Sequence, residues 1–403
     1  MAATVFPKGV TIHIRDKAYK THVLYDGRDS TTYLIDMEGG IVNSWPYKGF
    51  PSEMIDPALN SGETGHVFVQ GEDALFDNKT LLQLDWSGRT VWSWTGDPSG
   101  SGACQAWDQA RLPNGNTLVL TLLKHVVARF GPYPITDQRI VEIDPRGKIV
   151  WSWLASEHFH EFGFNENEMD FLSHRSMPRS PSLLEINNMS PVGSNPHFLS
   201  GDMRFHPENI VIDSRGGNFM AIIDKATGSL AWRMGPSYPA RHDYSKRQFS
   251  GKLPRDVDYI SGQHDAHIIP SGLPGAGNLL VFDNQGAAGF EPVYGDFFSA
   301  SRILEIDPIS KQIVWQYDAS MGGRDYWTFY SSFISSARRL PNGNTLICEG
   351  MYGRIFQVTQ SGETVWEYMN PIFGTQVLHG VHTGATATNW IFRAQPVPCE
   401  WVP

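Results

Sequence analysis

A run of apolar residues at alternate positions, a turn with Asp or Gly, and a second such run recur six times along the chain. In the third copy, Val141 and Ile143 precede the turn at 144–147, and Trp151 and Trp153 follow it. An apolar period of two on both sides of turn residues predicts a β-hairpin. The six hairpins end near residues 45, 94, 153, 234, 317 and 368.

A second repeat places a Pro-Asn-Gly or similar turn before an apolar strand, at 111–120, 272–282 and 339–348. The two repeats together predict about four strands per unit and six units, which is typical of a six-bladed β-propeller. We therefore predict an all-β fold with 1–403 as a single domain. A β-sandwich or two small β domains is the alternative.

The two longest units predict insertion loops at about 154–200 and 236–262, on one end of the propeller. The first strand of a blade lines the central channel. Four segments are expected there: 104–111, 204–215, 262–270 and 333–339.

Composition narrows the function. The formal charge of −10 gives no basic surface for nucleic acid or an anionic membrane. No signal-peptide pattern or long apolar run occurs, so a cytoplasmic location is expected. The three cysteines are far apart and lack a CxxC spacing, which excludes a disulfide framework and a thiolate zinc site.

Long stretches of residues 20–395 resemble the bacterial arylsulfotransferases, which are six-bladed propellers that move a sulfuryl group from one phenol to another. The resemblance is carried by RLPNGNTL, present twice, by GDMRFHPENIVIDSRGGNF, by GQHDAHIIPSGLPGAGNLLVFDN and by WIFRAQ. It implies a pocket for a small aromatic or phenolic substrate at the propeller axis. No cofactor is predicted, and the sequence leaves a bound metal and the oligomeric state open.

The resemblance also implies site residues. His264, after Gln263, matches the family's nucleophilic histidine, and Arg215, after Ser214, matches the arginine that holds sulfate oxygens. The family's HxN segment reads Glu185-Ile186-Asn187 here, and its HHD segment reads Ala106-Trp107-Asp108. One histidine position is therefore Glu185, and another is Trp107.

A carboxylate at Glu185 would repel the negative charge that develops on sulfuryl oxygens. This substitution opens an alternative in which Glu185 and His264 act as acid and base in a lyase, hydratase, isomerase or hydrolase. In that alternative Arg215 holds an anionic group of the substrate. A third possibility is a propeller that binds a ligand without turnover.

Four further side chains are candidates for substrate binding. Trp107 offers a flat face for an aromatic ligand. Tyr326 and Tyr330 belong to an aromatic run just before 333–339. His267 lies three residues after His264, so in a regular strand the two imidazoles face opposite sides. No metal site is predicted from this pair, because two histidines cannot complete a coordination shell.

Overall fold

The structure is a computed structural model that describes the chain apart from residues 1–6, 72–79, 97–103, 175–181, 183, 237–259, 287, 290–299 and 375–387. Its strands form six antiparallel sheets around a ring. Five sheets have four strands, and the sixth has five. The predicted six-bladed β-propeller is confirmed.

The strands are given blade by blade. Blade one holds β2 (His22–Asp26), β3 (Thr32–Ile35), β4 (Ile41–Trp45) and β25 (Ala394–Val397). Blade two holds β5 (Glu53–Met54), β6 (Val67–Gln70), β7 (Leu81–Leu84) and β8 (Thr90–Trp94). Blade three holds β9 (Cys104–Arg111), β10 (Thr117–Val126), β11 (Pro134–Ile143) and β12 (Ile149–Leu154).

Blade four holds β13 (Ile186–Pro191), β14 (Ile210–Ser214), β15 (Phe219–Ile223) and β16 (Leu230–Met234). Blade five holds β17 (His264–Ile268), β18 (Leu279–Asp283), β19 (Arg302–Asp307) and β20 (Gln312–Tyr317). Blade six holds β1 (Gly9–His13), β21 (Ser336–Arg339), β22 (Thr345–Glu349), β23 (Arg354–Val358) and β24 (Thr364–Met369). The described helices are α1 (Glu166–His174) and α2 (Pro196–Leu199). Short 3-10 helices lie at Pro57–Leu59, Ala128–Phe130, Ala155–His158, Met203–Phe205, Ala319–Gly322, Tyr326–Thr328, Gly350–Tyr352 and Cys399–Trp401.

The two ends of the chain close the ring at different places. β25 pairs with β2 and supplies the innermost strand of blade one. β1 pairs with β24 and adds a fifth, outermost strand to blade six. This arrangement covers strand edges that would otherwise be exposed.

Tryptophans on outer strands connect neighbouring blades. The indole N–H of Trp45 donates to the carbonyl of Asp85 in blade two, and that of Trp366 donates to Met37 in blade one. Both rings are completely buried. These two tryptophans therefore pack between blades and satisfy their N–H groups there.

Blade four differs from the sequence prediction. Residues 154–200, expected as an insertion loop, include α1 and also β13, the innermost strand. The segment 204–215, expected to line the channel, instead contains β14, the second strand. The prediction was wrong there because β13, INNMSP, lacks the apolar alternation that marks the other strands. The second insertion, 236–262, lies almost wholly outside the described residues.

No helix in the described ranges is long and apolar enough to span a bilayer.

Candidate functional site

We call the upper end of the propeller the end at which the innermost strands begin and the second strands finish. His264 is the first residue of β17, and Arg215 follows the last residue of β14. Glu185 directly precedes β13, and Asn187 lies within it. The topology thus brings four of the predicted site residues to the same end, in blades four and five.

Both ring nitrogens of His264 have partners. Nδ1 lies 2.8 Å from Oδ1 of Asn284 and 3.1 Å from the carbonyl oxygen of Gly262. Nε2 accepts the backbone N–H of Ile334 at 3.0 Å. Since Nε2 accepts a hydrogen bond, the proton of the neutral ring is on Nδ1.

The surroundings of His264 disfavour its charged form. Burial, and after it the positive charge of Arg215, lowers the pKa of His264 to about 3. The imidazole is therefore neutral at physiological pH, which leaves a lone pair on Nε2 but makes the ring a weak base.

Arg215 and Glu185 form an ion pair. Nη1 of Arg215 donates to Oε2 of Glu185 at 2.6 Å, and the backbone N–H of Arg215 donates to the carbonyl of Glu185 at 3.0 Å. Glu185 has a φ of 48°, a left-handed conformation that is uncommon for a residue with a side chain. The arginine that was predicted to bind an anion thus lies against the carboxylate of Glu185.

Some buried polar atoms at the upper end have no hydrogen-bond partner within the described structure. They include Oε1 of Gln263 and one atom from each of two predicted site residues, Nε of Arg215 and Oδ1 of Asn187. The Asn187 side-chain amide donates to the carbonyl of Gln263, the residue before His264, at 3.3 Å. Unpaired buried groups are costly, so each of these two atoms is suited to pair with a ligand.

The expected arrangement of His264 and His267 is wrong. A β-bulge lies between them, with Asp265 at a φ of 61°. His264 pairs with Phe282 and His267 with Leu280, two residues apart, so the bulge places both imidazoles on one face. Nδ1 of His267 lies 2.8 Å from the carbonyl of Asp265, and burial, followed by the charge of Arg338, lowers its pKa.

The other predicted binding residues lie in blades three and six. Trp107 is in β9, and its side chain is outside the described residues. The Tyr326 ring packs against Trp327 with 5.2 Å between centroids. The backbone N–H of Tyr330 donates to Glu349. In the part of the chain that the structure describes, neither tyrosine hydrogen-bonds to His264, and their role in binding stays a prediction.

A buried ionic network, which we call the axial network, joins the innermost strands. Arg393, just before β25, donates two hydrogen bonds to the carboxylate of Asp108, at 3.0 and 2.9 Å. Its guanidinium also lies 3.2 Å from Asp265, to which Arg338 of β21 donates as well. Blade four contributes Asn188, whose Oδ1 accepts from Arg393 at 3.0 Å.

Carboxylates outnumber arginines in this region. Glu53, at the start of β5, and Asp213, in β14, add to Asp108 and Asp265. Burial, and after it the charge of Asp108, raises the pKa of Glu53 to about 7. Burial also raises the pKa of Asp213 well above its usual range. An excess of buried carboxylates makes it favourable for some of them to keep a proton.

Sequence reasoning missed several residues around His264. Asn284 follows β18, and Ile334 precedes β21; both lay in the motifs VFDN and FISSARR, but only pairing in three dimensions identifies them. The ring of Phe392 lies 6.4 Å from that of His264, and Phe50 packs on Phe392 at 4.3 Å. These two rings give the site an apolar wall.

No group of three or more His, Cys, Asp or Glu side chains within the described ranges is arranged to hold a metal ion.

The chain is similar to several solved structures at low sequence identity. A protein of unknown function from Bacteroides caccae has 13% identity, with 94% of this chain and 99% of that chain covered and a TM-score of 0.50. The quinohemoprotein alcohol dehydrogenase from Comamonas testosteroni has 11% identity and a TM-score of 0.40, with 90% of this chain and 67% of that chain covered. The β-propeller domain of Myceliophteria thermophila Cps50 (Swd1) has 10% identity, 91% coverage of each chain and a TM-score of 0.39.

No curated protein matches the chain significantly by sequence. A family model described as arylsulfotransferase (ASST) matches residues 12–393, nearly the whole length. The chain therefore belongs to the arylsulfotransferase family, whose name indicates a transferase.

Proposed function

We propose that the protein transfers a sulfuryl group from an aryl sulfate to a phenol, with Nε2 of His264 as the nucleophile. The observation that carries the proposal is the pair of unpartnered buried atoms beside His264. Nε of Arg215 is a cationic donor suited to a sulfate oxygen, and Oδ1 of Asn187 is an acceptor suited to a hydroxyl. A sulfate ester supplies the acceptor oxygen for Arg215, and a phenol supplies the hydroxyl donor for Asn187.

The reaction proceeds in two balanced steps. Nε2 forms a bond to sulfur while the ester S–O bond breaks, and the donor leaves as a phenolate with the electron pair. The acceptor phenol then attacks the same sulfur, the Nε2–S bond breaks, its electron pair returns to Nε2, and the phenol proton passes to water. Covalent catalysis of this kind divides one difficult step into two.

The environment of His264 suits a nucleophile better than a base. Its lowered pKa keeps the ring neutral, but a ring with a pKa of about 3 accepts protons poorly at neutral pH. The N–H of Ile334 must leave Nε2 before attack. Ile334 has a φ of 56°, an uncommon conformation for a β-branched residue.

The acid–base alternative makes an opposite prediction for Glu185. In sulfuryl transfer, Glu185→Gln removes a charge that competes for Arg215, so turnover of an aryl sulfate is maintained or rises. If Glu185 is a general acid or base, the same substitution lowers turnover about 10² to 10⁴-fold. The pairing of Glu185 with Arg215 favours the first outcome.

The deciding experiment is intact-mass analysis after incubation with 4-nitrophenyl sulfate and no acceptor. We expect a sulfate-sized increment that is absent in His264→Gln and disappears when a phenol is added. His197→Gln is the matched control, because His197 lies in α2 at the opposite end of the propeller and bonds to a backbone carbonyl. An enzyme that turns over the ester without any adduct on His264 would contradict the proposal.

A further inference from the structure

Asn284 contacts His264 and the segment that covers it. Its Oδ1 faces Nδ1 of His264 at 2.8 Å. Its Nδ2 donates to the carbonyl oxygens of Ser331 and Ile334, at 2.7 and 2.8 Å. Because two carbonyls surround the NH₂ group, the orientation of this amide is fixed, and its oxygen must face the imidazole.

The turn that carries Asn284 is packed tightly onto segment 331–335. A Cβ at Gly286 would overlap the carbonyl oxygen of Ser332. Ser301 reinforces the contact, since its hydroxyl donates to the carbonyl of Asn284 at 3.0 Å and accepts the N–H of Ser331 at 2.9 Å. Asn284 is completely buried and is therefore held in one place relative to His264.

An amide and a carboxylate at this position have different chemical consequences. Either one accepts the Nδ1 proton and orients the ring. Only a carboxylate stabilises the imidazolium form, and that stabilisation is what a general base requires. The other groups that face His264 oppose a positive ring, since Arg215 approaches from blade four and Arg393 from the start of blade one.

We propose that Asn284 is a positioning residue that determines the role of His264. Its neutral amide holds the ring proton on Nδ1, so that the lone pair is on Nε2 and can attack sulfur once the N–H of Ile334 has moved. The same neutral amide denies the ring the charge compensation that base catalysis needs. The inference rests on the proposed sulfuryl transfer for its catalytic consequence. Its electrostatic part concerns the free protein and is measured without substrate.

The test is the titration of His264 by NMR, with the resonance assigned from His264→Gln. In the unmodified chain, we expect the ring to stay neutral down to about pH 4. In Asn284→Asp, we expect the pKa of His264 to rise by about 1 to 3 pH units, because the carboxylate stabilises the imidazolium. Titration near pH 6.5 in the unmodified chain would overturn the inference.

Asn209→Asp is the matched control for the amide-to-carboxylate change. Asn209 is buried near the opposite end, donates to the carbonyls of Met203 and Arg204, and accepts the N–H of Lys225. We expect this variant to leave the pKa of His264 unchanged. An equal shift in both variants, or in neither, would overturn the assignment to Asn284.

Adduct formation supplies the catalytic readout. We compare the rate of adduct formation in Asn284→Asp with the rate in the unmodified chain. The ratio of the two rates should fall about tenfold per pH unit below the raised pKa of His264, because protonated Nε2 cannot attack. A purely structural defect lowers the ratio equally at all pH values and would overturn the positioning role. If the unmodified chain forms no adduct, the proposed function fails, while the NMR titration still decides the electrostatic part.

Discussion

The axial network and the upper end of the channel contain similar residue types but differ in how their polar atoms are paired. In the axial network, both carboxylate oxygens of Asp108 accept hydrogen bonds from Arg393. At the upper end, Arg215 has an ion pair with Glu185 but an unpartnered Nε, and Asn187 has an unpartnered Oδ1. The axial network also has atoms without a hydrogen-bond partner, Nε of Arg393 and Oδ1 of Asp213. The clearer difference is burial: the Arg393–Asp108 pair is buried, whereas the Arg215–Glu185 pair is partly exposed, so the two regions should respond differently to substitution.

The largest effect on stability is expected from Arg393→Met. This substitution leaves Asp108 buried without its partner, and breaking a buried pair in this way costs about 3–5 kcal/mol in the free energy of unfolding. Chemical denaturation measures this loss in the free energy of unfolding. Arg204→Met, which removes the partly exposed pair with Asp202, should cost about 0–1 kcal/mol. Equal losses in the two variants would show that the axial network does not join the blades.

Arg215→Gln should affect activity more than stability. Loss of a cationic donor to the transferring group should lower kcat/KM for an aryl sulfate about 10 to 100-fold. The free energy of unfolding should change by less than about 1 kcal/mol, because the lost pair is partly exposed. Steady-state kinetics and denaturation on the same sample separate the two effects. A large stability loss with unchanged kinetics would show that Arg215 has a structural role and does not bind the transferring group.

Glu53 should make stability depend on pH. Its pKa in the folded protein is raised to about 7 from an ordinary value of 4.5, so the folded state holds the proton more tightly than the unfolded chain. The stabilisation is full below pH 4.5 and is lost as the pH rises through about 7.

Unfolding at pH 5 and pH 8 should therefore differ by about 1–3 kcal/mol from this group. Glu53→Gln should reduce that difference, and the residual dependence belongs to other carboxylates such as Asp213. If the glutamine variant keeps the whole pH dependence, Glu53 is not the group that titrates.

The smallest stability effect is expected from Asn187→Ala. The substitution removes an unpaired buried acceptor together with a long hydrogen bond of 3.3 Å to Gln263, and these two contributions offset one another to within about 1 kcal/mol. The KM for the phenol should rise, because its hydroxyl loses the acceptor. A loss of several kcal/mol would mean that Oδ1 of Asn187 has an essential partner within the protein.

The fold could be predicted from sequence because its repeats are local. Each hairpin carries its own alternation and turn, as in 140–153, and six copies determine the blade count. The same reasoning failed at β13, whose six residues include two asparagines and a serine. Both asparagines contact residues outside blade four: Asn187 donates to the carbonyl of Gln263, and Asn188 donates to that of Ala266 and accepts from Arg393.

The site could be predicted only in part. Motif resemblance identified its residues, but the hydrogen bonds and ion pairs between them emerge only in the structure. Spacing alone placed His264 and His267 on opposite faces, but the bulge at Asp265 reverses that relation. Asn284 and Ile334 are 20 and 70 residues from His264 in sequence, so no local pattern connects them to it. The charge balance of the axial network likewise depends on residues from all parts of the chain.

The closure of blade one has a consequence for synthesis of the chain on the ribosome. β2, β3 and β4 are made long before their inner partner, β25, which begins only at residue 394. Until then the inner edge of β2 has no strand to pair with, and five other blades can form while it waits. Val23 and Leu24, which are buried in the finished ring, lie on that edge strand throughout this interval. The nascent chain thus presents an unpaired strand edge, open to chaperone binding or misassociation, until blade one closes.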